Sequence, residues 1–372
     1  MKASRFGRSA ALLSVAALAL TACGGNGGSG NGETSPAGNG ETTTEAGAAQ
    51  LSGGIQGGGA SSQESAMNEW IAMYTEDVQP QVTVDYASVG SGSGRTGFLE
   101  GTYDWAGSDA AIAGDQLEKS KDTCGDEGAF NVPTFISPIA VAYNLEGVDT
   151  INMDPETIAA VFAGEITSWN DEKIAAHNPD IELPDTAITV VHRGDDSGTT
   201  KNFTAFLDET AGDVWTYGET ESWPGEVAGE SAQQTSGVVS TTQGLNGAIT
   251  YADAGQIGQL NSVNVGKDGN YVELTPEAAA AMIDKASEAD AGAIDIDYNT
   301  DEADVYPVVM VAYNIFCHTY EDADQAELLK DWATFLVSAD AQEAASEVAG
   351  NAPISDSTRE RAMEYINEIS GS

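Results

Sequence analysis

The apolar stretches SPIAVAYN (residues 137–144) and VVMVAYN (residues 308–314) are echoes of each other. In each, a proline stands before a run of apolar residues ending Ala-Tyr-Asn. Two readings stand. Either they are unrelated core strands, or the chain leaves a first domain through one and returns through the other. The second reading makes a two-strand hinge. The cysteines favour it, because Cys124 precedes the outgoing strand and Cys317 follows the returning one. A bridge between them would staple the two passages.

The segments around these strands alternate in period. Val82, Val84 and Tyr86 alternate with polar residues, as a half-buried strand requires. Asp154-Pro155-Glu156 opens a capped helix that Gly164 stops. Residues 187–191 read as a strand, with Phe203, Phe206 and Leu207 marking the helix after it. A capped helix begins at Thr275, and the last sixty residues are mainly helical, with Leu328, Leu329, Trp332 and Phe335 at helical spacing. Strands alternating with helices predict an α/β fold, and 372 residues suffice for two domains with sizeable cores.

Charge excludes some partners. With 59 acidic and 14 basic residues the formal net charge is −45, so no basic patch is left for nucleic acid or an anionic lipid surface. The bases that do occur early have another use. Lys2, Arg5 and Arg8 precede the apolar run ALLSVAALAL (residues 11–20), which is too short to span a bilayer and reads as a secretory signal over residues 1–22. It ends Leu20-Thr21-Ala22-Cys23, matching the lipobox of bacterial lipoproteins, where the cysteine is acylated. Residues 23–50, rich in Gly, Ser, Thr and Asn, then read as a flexible tether. With Cys23 lipidated, Cys124 and Cys317 remain, either as a disulfide or as two free buried thiols.

Three segments put small residues before a helix: residues 57–62 ahead of Met67, Trp70 and Ile71; residues 88–94 after the Val82–Tyr86 alternation; and RGDDSGTT (residues 193–200). Helix N-termini leave backbone N–H groups unpaired, glycine allows close approach, and hydroxyls add donors. Capping alone explains any one of them. Three together, one with Arg193, point to an anion held by converging donors. YDWAGSDA (residues 103–110) adds Asp109, which repels an anion unless the ligand has a proton to donate.

These residues resemble a family. VGSGSG (residues 89–94), AGSDA (106–110), EITSWNDEKIAAHNP (165–179), RGDDSGT (193–199) and GLNGAITYADA (244–254) occur in the order seen in the phosphate-binding lipoprotein of the bacterial phosphate-specific ABC transporter. The resemblance covers nearly all of the body. It implies a two-lobed periplasmic-binding-protein-like fold of type II: residues 51–137 and 310–372 in one lobe, 138–309 in the other, and two crossing hinge strands. It implies phosphate bound between the lobes by Ser61, Ser62, Ser91, Arg193, Ser197, Gly198 and Thr199. Asp109 would accept the ligand's proton, and Asp195 would support Arg193. In the family the first loop usually reads Gly-Ala-Thr-Phe-Pro; here Gly59-Ala60-Ser61-Ser62-Gln63 replaces it. ABC permease and ATPase subunits are the implied partners of a monomer lipid-anchored outside the cytoplasmic membrane, with no cofactor or metal.

A hydrolase built on Ser197 and His192 is the rival class, but no G-x-S-x-G elbow occurs and the three histidines lack metal-ligand spacing. A binder of sulfate or molybdate is the nearer rival, separated by Asp109, which rewards only a protonated anion.

Overall fold

Glycine dominates the first strand for a reason of packing. The computed structural model describes residues 50–372, apart from 284, 285, 301 and 303. The signal segment, Cys23 and the tether up to residue 49 lie outside them. β1 (Gly53–Gly59) pairs parallel with β2 (Val82–Ser88) on one side and with β3 (Trp105–Ser108) on the other. A Cβ on Gly57 or Gly58 would collide with the Trp105 or Tyr103 ring, and one on Gly59 would overlap the Gly107 carbonyl. This corrects the sequence reading of residues 57–62 as a donor loop. Residues 57–59 are strand, and only residues 60–63 form the turn into α1 (Glu64–Met73).

The chain continues through α2 (Ser91–Leu99) and α3 (Asp115–Cys124) into β4 (Ala129–Asn144), a strand of 16 residues. Then come α4 (Pro155–Phe162), β5 (Thr189–Arg193), α5 (Gly198–Ala211), β6 (Glu230–Ala232), α6 (Gln234–Gln243) and β7 (Ala248–Asp253). β8 (Val309–Cys317) returns, and α7 (Ala323–Leu336), α8 (Ala339–Ala349) and α9 (Asp356–Glu368) close the chain. The main sheet runs β2-β1-β3-β8-β4-β7-β5-β6.

The two echoing stretches pair with each other. β8 lies antiparallel to β4 from Val309 opposite Pro138 to Cys317 opposite Ala129. A register shift at Ala312/Tyr313 leaves Thr134 as the extra residue beside Pro133, which lacks an N–H for the ladder. The Thr134 hydroxyl donates to the Ala312 carbonyl at 3.0 Å, replacing the lost bond.

Two large apolar cores sit at the two ends of this pair. One draws on residues up to Ile136 and from Ala312 onward, with Trp70, Trp105 and Trp332 fully buried. The other draws on residues from Ile139 to Met310, around Phe162, Trp169, Phe203 and Trp215. The chain is a two-lobed α/β protein, and its lobes are joined through β4 and β8.

Cys124 and Cys317 form a disulfide across a sequence separation of 193 residues. A cross-link closing so long a loop acts mainly on the unfolded chain. Changing both cysteines to serine is expected to lower unfolding free energy by about 2–5 kcal/mol, read by denaturant titration against the oxidised protein. An unchanged midpoint would mean the staple contributes nothing.

Candidate anion-binding site

Four chain turns meet where the lobes face each other. The first lobe supplies residues 60–63, the start of α2 at Ser91, and Asp109 at the end of β3. The second supplies Arg193 at the end of β5 and the start of α5 at Ser197, Gly198 and Thr199. Strand ends and helix starts expose unpaired N–H groups, and here they are packed against each other. Asp109 Oδ2 accepts from the Ser62 hydroxyl at 2.5 Å and from the Thr199 hydroxyl at 3.2 Å. The Asp109 N–H donates to Ser91 Oγ at 3.2 Å. A Cβ on Gly198 would lie 2.7 Å from Ser91 Oγ and 2.8 Å from the Ala110 nitrogen, so glycine is required by the approach of the two loops.

Arg193 sits beside these groups and is held from behind. Its Nε donates to Asp195 Oδ1 at 2.8 Å, its Nη2 pairs with Asp195 Oδ2, and the Gln234 N–H also donates to Asp195 Oδ1, at 3.0 Å. A planar guanidinium locked on one edge leaves its remaining N–H groups pre-aimed. All eight residues named from the sequence are buried, and Asp195 pairs with Arg193.

Two of them have additional duties. Ser197 caps α5, its hydroxyl accepting from the Thr200 N–H at 3.2 Å. The Ser61 hydroxyl accepts from the Thr235 N–H and shares a bond with the Thr235 hydroxyl, both at 3.0 Å, tying one lobe to the other. His192 stacks on Trp223, with ring centroids 5.0 Å apart, and its Nδ1 lies 2.9 Å from the Arg193 carbonyl. His177, which reads as a surface residue in the sequence, is half-buried between Thr157 and Tyr271. Among the described residues no cluster of three or more His, Cys, Asp or Glu could hold a metal.

Asp109 is 2% exposed. Burial pushes its carboxyl above the usual range, and the Ser62 hydroxyl, the Arg193 guanidinium, the Thr199 hydroxyl and Gln63 oppose that shift. Its Oδ1 is buried without a hydrogen-bond partner of normal geometry, and the neighbouring Gln63 Nε2 donates to the Tyr313 carbonyl at 3.2 Å. A second buried carboxylate, Asp253 at the end of β7, is pushed up to about 7 by burial, with the charge of Asp109 adding to the shift. The Ser137 hydroxyl and the backbone at Gly255 hold it back.

Sequence reasoning missed the surroundings. Thr235 and Gln234 reach the site from the start of α6, and Gln256 donates to the carbonyls of Ser61 and Ser62. Asn202 donates to the Asp109 carbonyl at 2.7 Å. Asp253 lies inside GLNGAITYADA (residues 244–254), yet nothing in a strand end signals a carboxylate facing Ser137. Arg95 directly follows the Gly-Ser segment, within α2, and is almost fully buried. A buried arginine has no one-dimensional signature.

With the geometry in place, comparison gives the class and then the family. A family model described as a PBP superfamily domain matches residues 41–340, so the chain is one of the two-lobed binding proteins of that superfamily. It is 34% identical over 349 residues to Phosphate-binding protein PstS 2 of Mycobacterium tuberculosis, covering 87% of this chain and 88% of that protein. It is 32% identical to Phosphate-binding protein PstS3 of Mycobacterium bovis, covering 99% and 100%. The chain belongs to the PstS family. Among solved structures, the fold is similar to that of a high affinity periplasmic phosphate-binding protein bound with phosphate, with a TM-score of 0.65, 20% identity, and coverage of 84% and 93%. A putative phosphate ABC transporter substrate-binding protein from Clostridium perfringens gives a TM-score of 0.59 at 18% identity, covering 82% and 100%.

The buried Asp253 fixes a pH dependence. Its pKa is 3.8 unperturbed and about 7 in the fold, so between these values the folded chain holds a proton that the unfolded chain has lost. Its stabilising share is thus complete below about 4 and is lost as pH rises through 7. Asp253→Asn is expected to gain stability relative to wild type as pH rises from 5 to 8, by roughly 2–3 kcal/mol. Thermal melts at the two pH values decide it; equal differences at both would refute the assignment.

Proposed function

We propose that this protein captures inorganic phosphate between its lobes and delivers it to an ABC transporter for import. The observation that carries the reading is Asp109, a buried carboxylate with an unpartnered Oδ1 set among hydroxyls, helix-start amides and Arg193. Hydrogenphosphate brings both acceptor oxygens for those donors and a proton for that oxygen. Ser61, Ser62, Ser91, Ser197, Gly198 and Thr199 supply donors, and Arg193 gives charge-assisted bonds. Fully ionised sulfate would set two acceptors against each other, which a buried site penalises strongly. The PstS names of the relatives and the phosphate in the similar structures point the same way.

The lobes are 51–137 with 310–372, and 138–309. The division of the two apolar cores at residues 136–139 and 310–312 supports these bounds. Export, acylation at Cys23 and a monomeric state complete the reading. A tether of small polar residues suits a lipid anchor outside the membrane. Among the described residues no helix is long and apolar enough to cross a membrane. Ser197 serves as helix cap and His192 is stacked away from it, which favours binding over hydrolysis. Turnover of a chromogenic phosphate ester that disappears in Ser197→Ala would reverse that preference.

Titration calorimetry at pH 7.5 is expected to show tight binding of phosphate and no heat with sulfate. Because the Asp109 carboxyl is raised, acidification protonates it and turns an acceptor into a donor. Sulfate binding is therefore expected to appear as pH falls, and to appear at neutral pH in Asp109→Asn. Equal affinity for both anions in the wild type would sink the reading.

Arg193→Lys keeps the charge but loses the planar fork, and should weaken phosphate binding roughly 10- to 100-fold in the same titration. Wild-type affinity in this variant would place Arg193 outside the site. Cys23→Ser should move the protein from the detergent phase to the aqueous phase on phase partition of cell extracts. Retention in the detergent phase would argue against the anchor.

A further inference from the structure

Arg95 does more than fill the first lobe. It is 2% exposed within α2, whose Phe98 and Leu99 belong to the first core. Its Nη1 donates to Ser108 Oγ at 2.7 Å and to the Ala110 carbonyl at 3.4 Å, the residues on either side of Asp109. Its Nε donates to Gln116 Oε1 at 3.1 Å. Its Nη2 leaves the lobe and contacts both carboxylate oxygens of Glu221, at 2.7 and 2.5 Å. Glu221 belongs to the second lobe, between α5 and Trp223. Its carbonyl accepts the Ser197 N–H at 3.0 Å, and its neighbour Thr220 is bonded through its N–H to the Thr204 hydroxyl of α5 at 2.9 Å. One guanidinium thus ties the Asp109 turn of one lobe to the α5 start of the other.

A second ion pair also joins the lobes, Arg361 with Glu288, but its side chains are 43% and 60% exposed, so water screens it. The Arg95–Glu221 pair is 2% and 27% exposed. A pair this well shielded, with one guanidinium nitrogen on both carboxylate oxygens and further bonds to the other nitrogens, is strongly favoured over a state in which one partner is left alone. If the lobes part, Arg95 keeps Ser108, Ala110 and Gln116 but loses its counter-ion. The separated state then carries an uncompensated cation beside Asp109.

From this geometry we propose that Arg95 and Glu221 form the closure latch of the binding cleft, positioning residues that set the rate of phosphate release. The proposal rests on the phosphate reading. Breaking the latch raises the energy of the closed state relative to the open one, so it acts on dissociation and leaves association nearly unchanged.

The test uses Glu221→Gln, which keeps the backbone bond to Ser197 and the side-chain shape, with Glu221→Asp as the charge-preserving control. Each protein is loaded with radiolabelled inorganic phosphate and chased with excess unlabelled phosphate, and its small-angle scattering is recorded with and without phosphate. Glu221→Gln is expected to release label about tenfold faster, a penalty of roughly 1.4 kcal/mol, while its association rate stays within about twofold of wild type. Glu221→Asp should fall between them, and phosphate-free Glu221→Gln should scatter as a more open particle. Release at the wild-type rate from a Glu221→Gln protein that binds phosphate overturns the latch alone. A fall in phosphate-free melting temperature with unchanged release would leave a merely structural ion pair. A wild type without phosphate affinity overturns the function and the release role together, and is distinguished by the absence of any loaded label.

Discussion

Both lobes depend on the pairing of β4 with β8. Each strand is buried along its length, begins in one apolar core and ends in the other. The strands therefore do two jobs: they pair with each other at the middle of the main sheet, and together they are the link between lobes. Pro133 and Pro138 would be out of place in an ordinary central strand. Here they coincide with the register shift and with the passage from one core to the next, where the ladder is already interrupted. The disulfide between the end of α3 and the end of β8 anchors the first-lobe end of the pair.

On that frame, the site resolves a tension in the composition. A chain with formal charge −45 gathers, at the lobe interface, hydroxyls and helix-start amides with two buried arginines. Each arginine has its own carboxylate: Asp195 for Arg193 and Glu221 for Arg95. Neither is a free positive field. In the proposed reading, recognition rests on fixed dipoles at short range, which the distant acidic surface cannot cancel, since solvent and salt screen it. Asp109 is the exception among these donors, a carboxylate that burial makes more basic. That is the property a proton acceptor needs.

The interface also divides labour between contacts. Ser61 with Thr235, Gln234 with the Ser88 carbonyl and Thr199 with Asp109 are hydrogen bonds spanning the lobes. Most of their groups can be satisfied by water when the lobes separate. Arg95 and Glu221 are different, because a guanidinium in the wall of the first lobe gains little from water in place of a carboxylate. In the proposed latch, closure and release are governed by a pair outside the residues assigned to phosphate.

Sequence alone determined the outline. Periodicity located the helices at Asp154, Thr275 and the C-terminus, and the repeated Ala-Tyr-Asn strands marked the crossing. AGSDA and RGDDSGT marked two segments that the fold brings together, the Thr199 hydroxyl donating to Asp109. Tertiary structure decided what depends on neighbours from elsewhere in the chain. Gly57 and Gly58 look like loop residues until the Trp105 and Tyr103 rings are laid against them. Asp253 becomes basic only through burial beside Asp109, and Arg95 becomes a tie between lobes only when Glu221, 126 residues away, reaches it. Burial and long-range pairing are properties of the folded chain, and no local pattern encodes them.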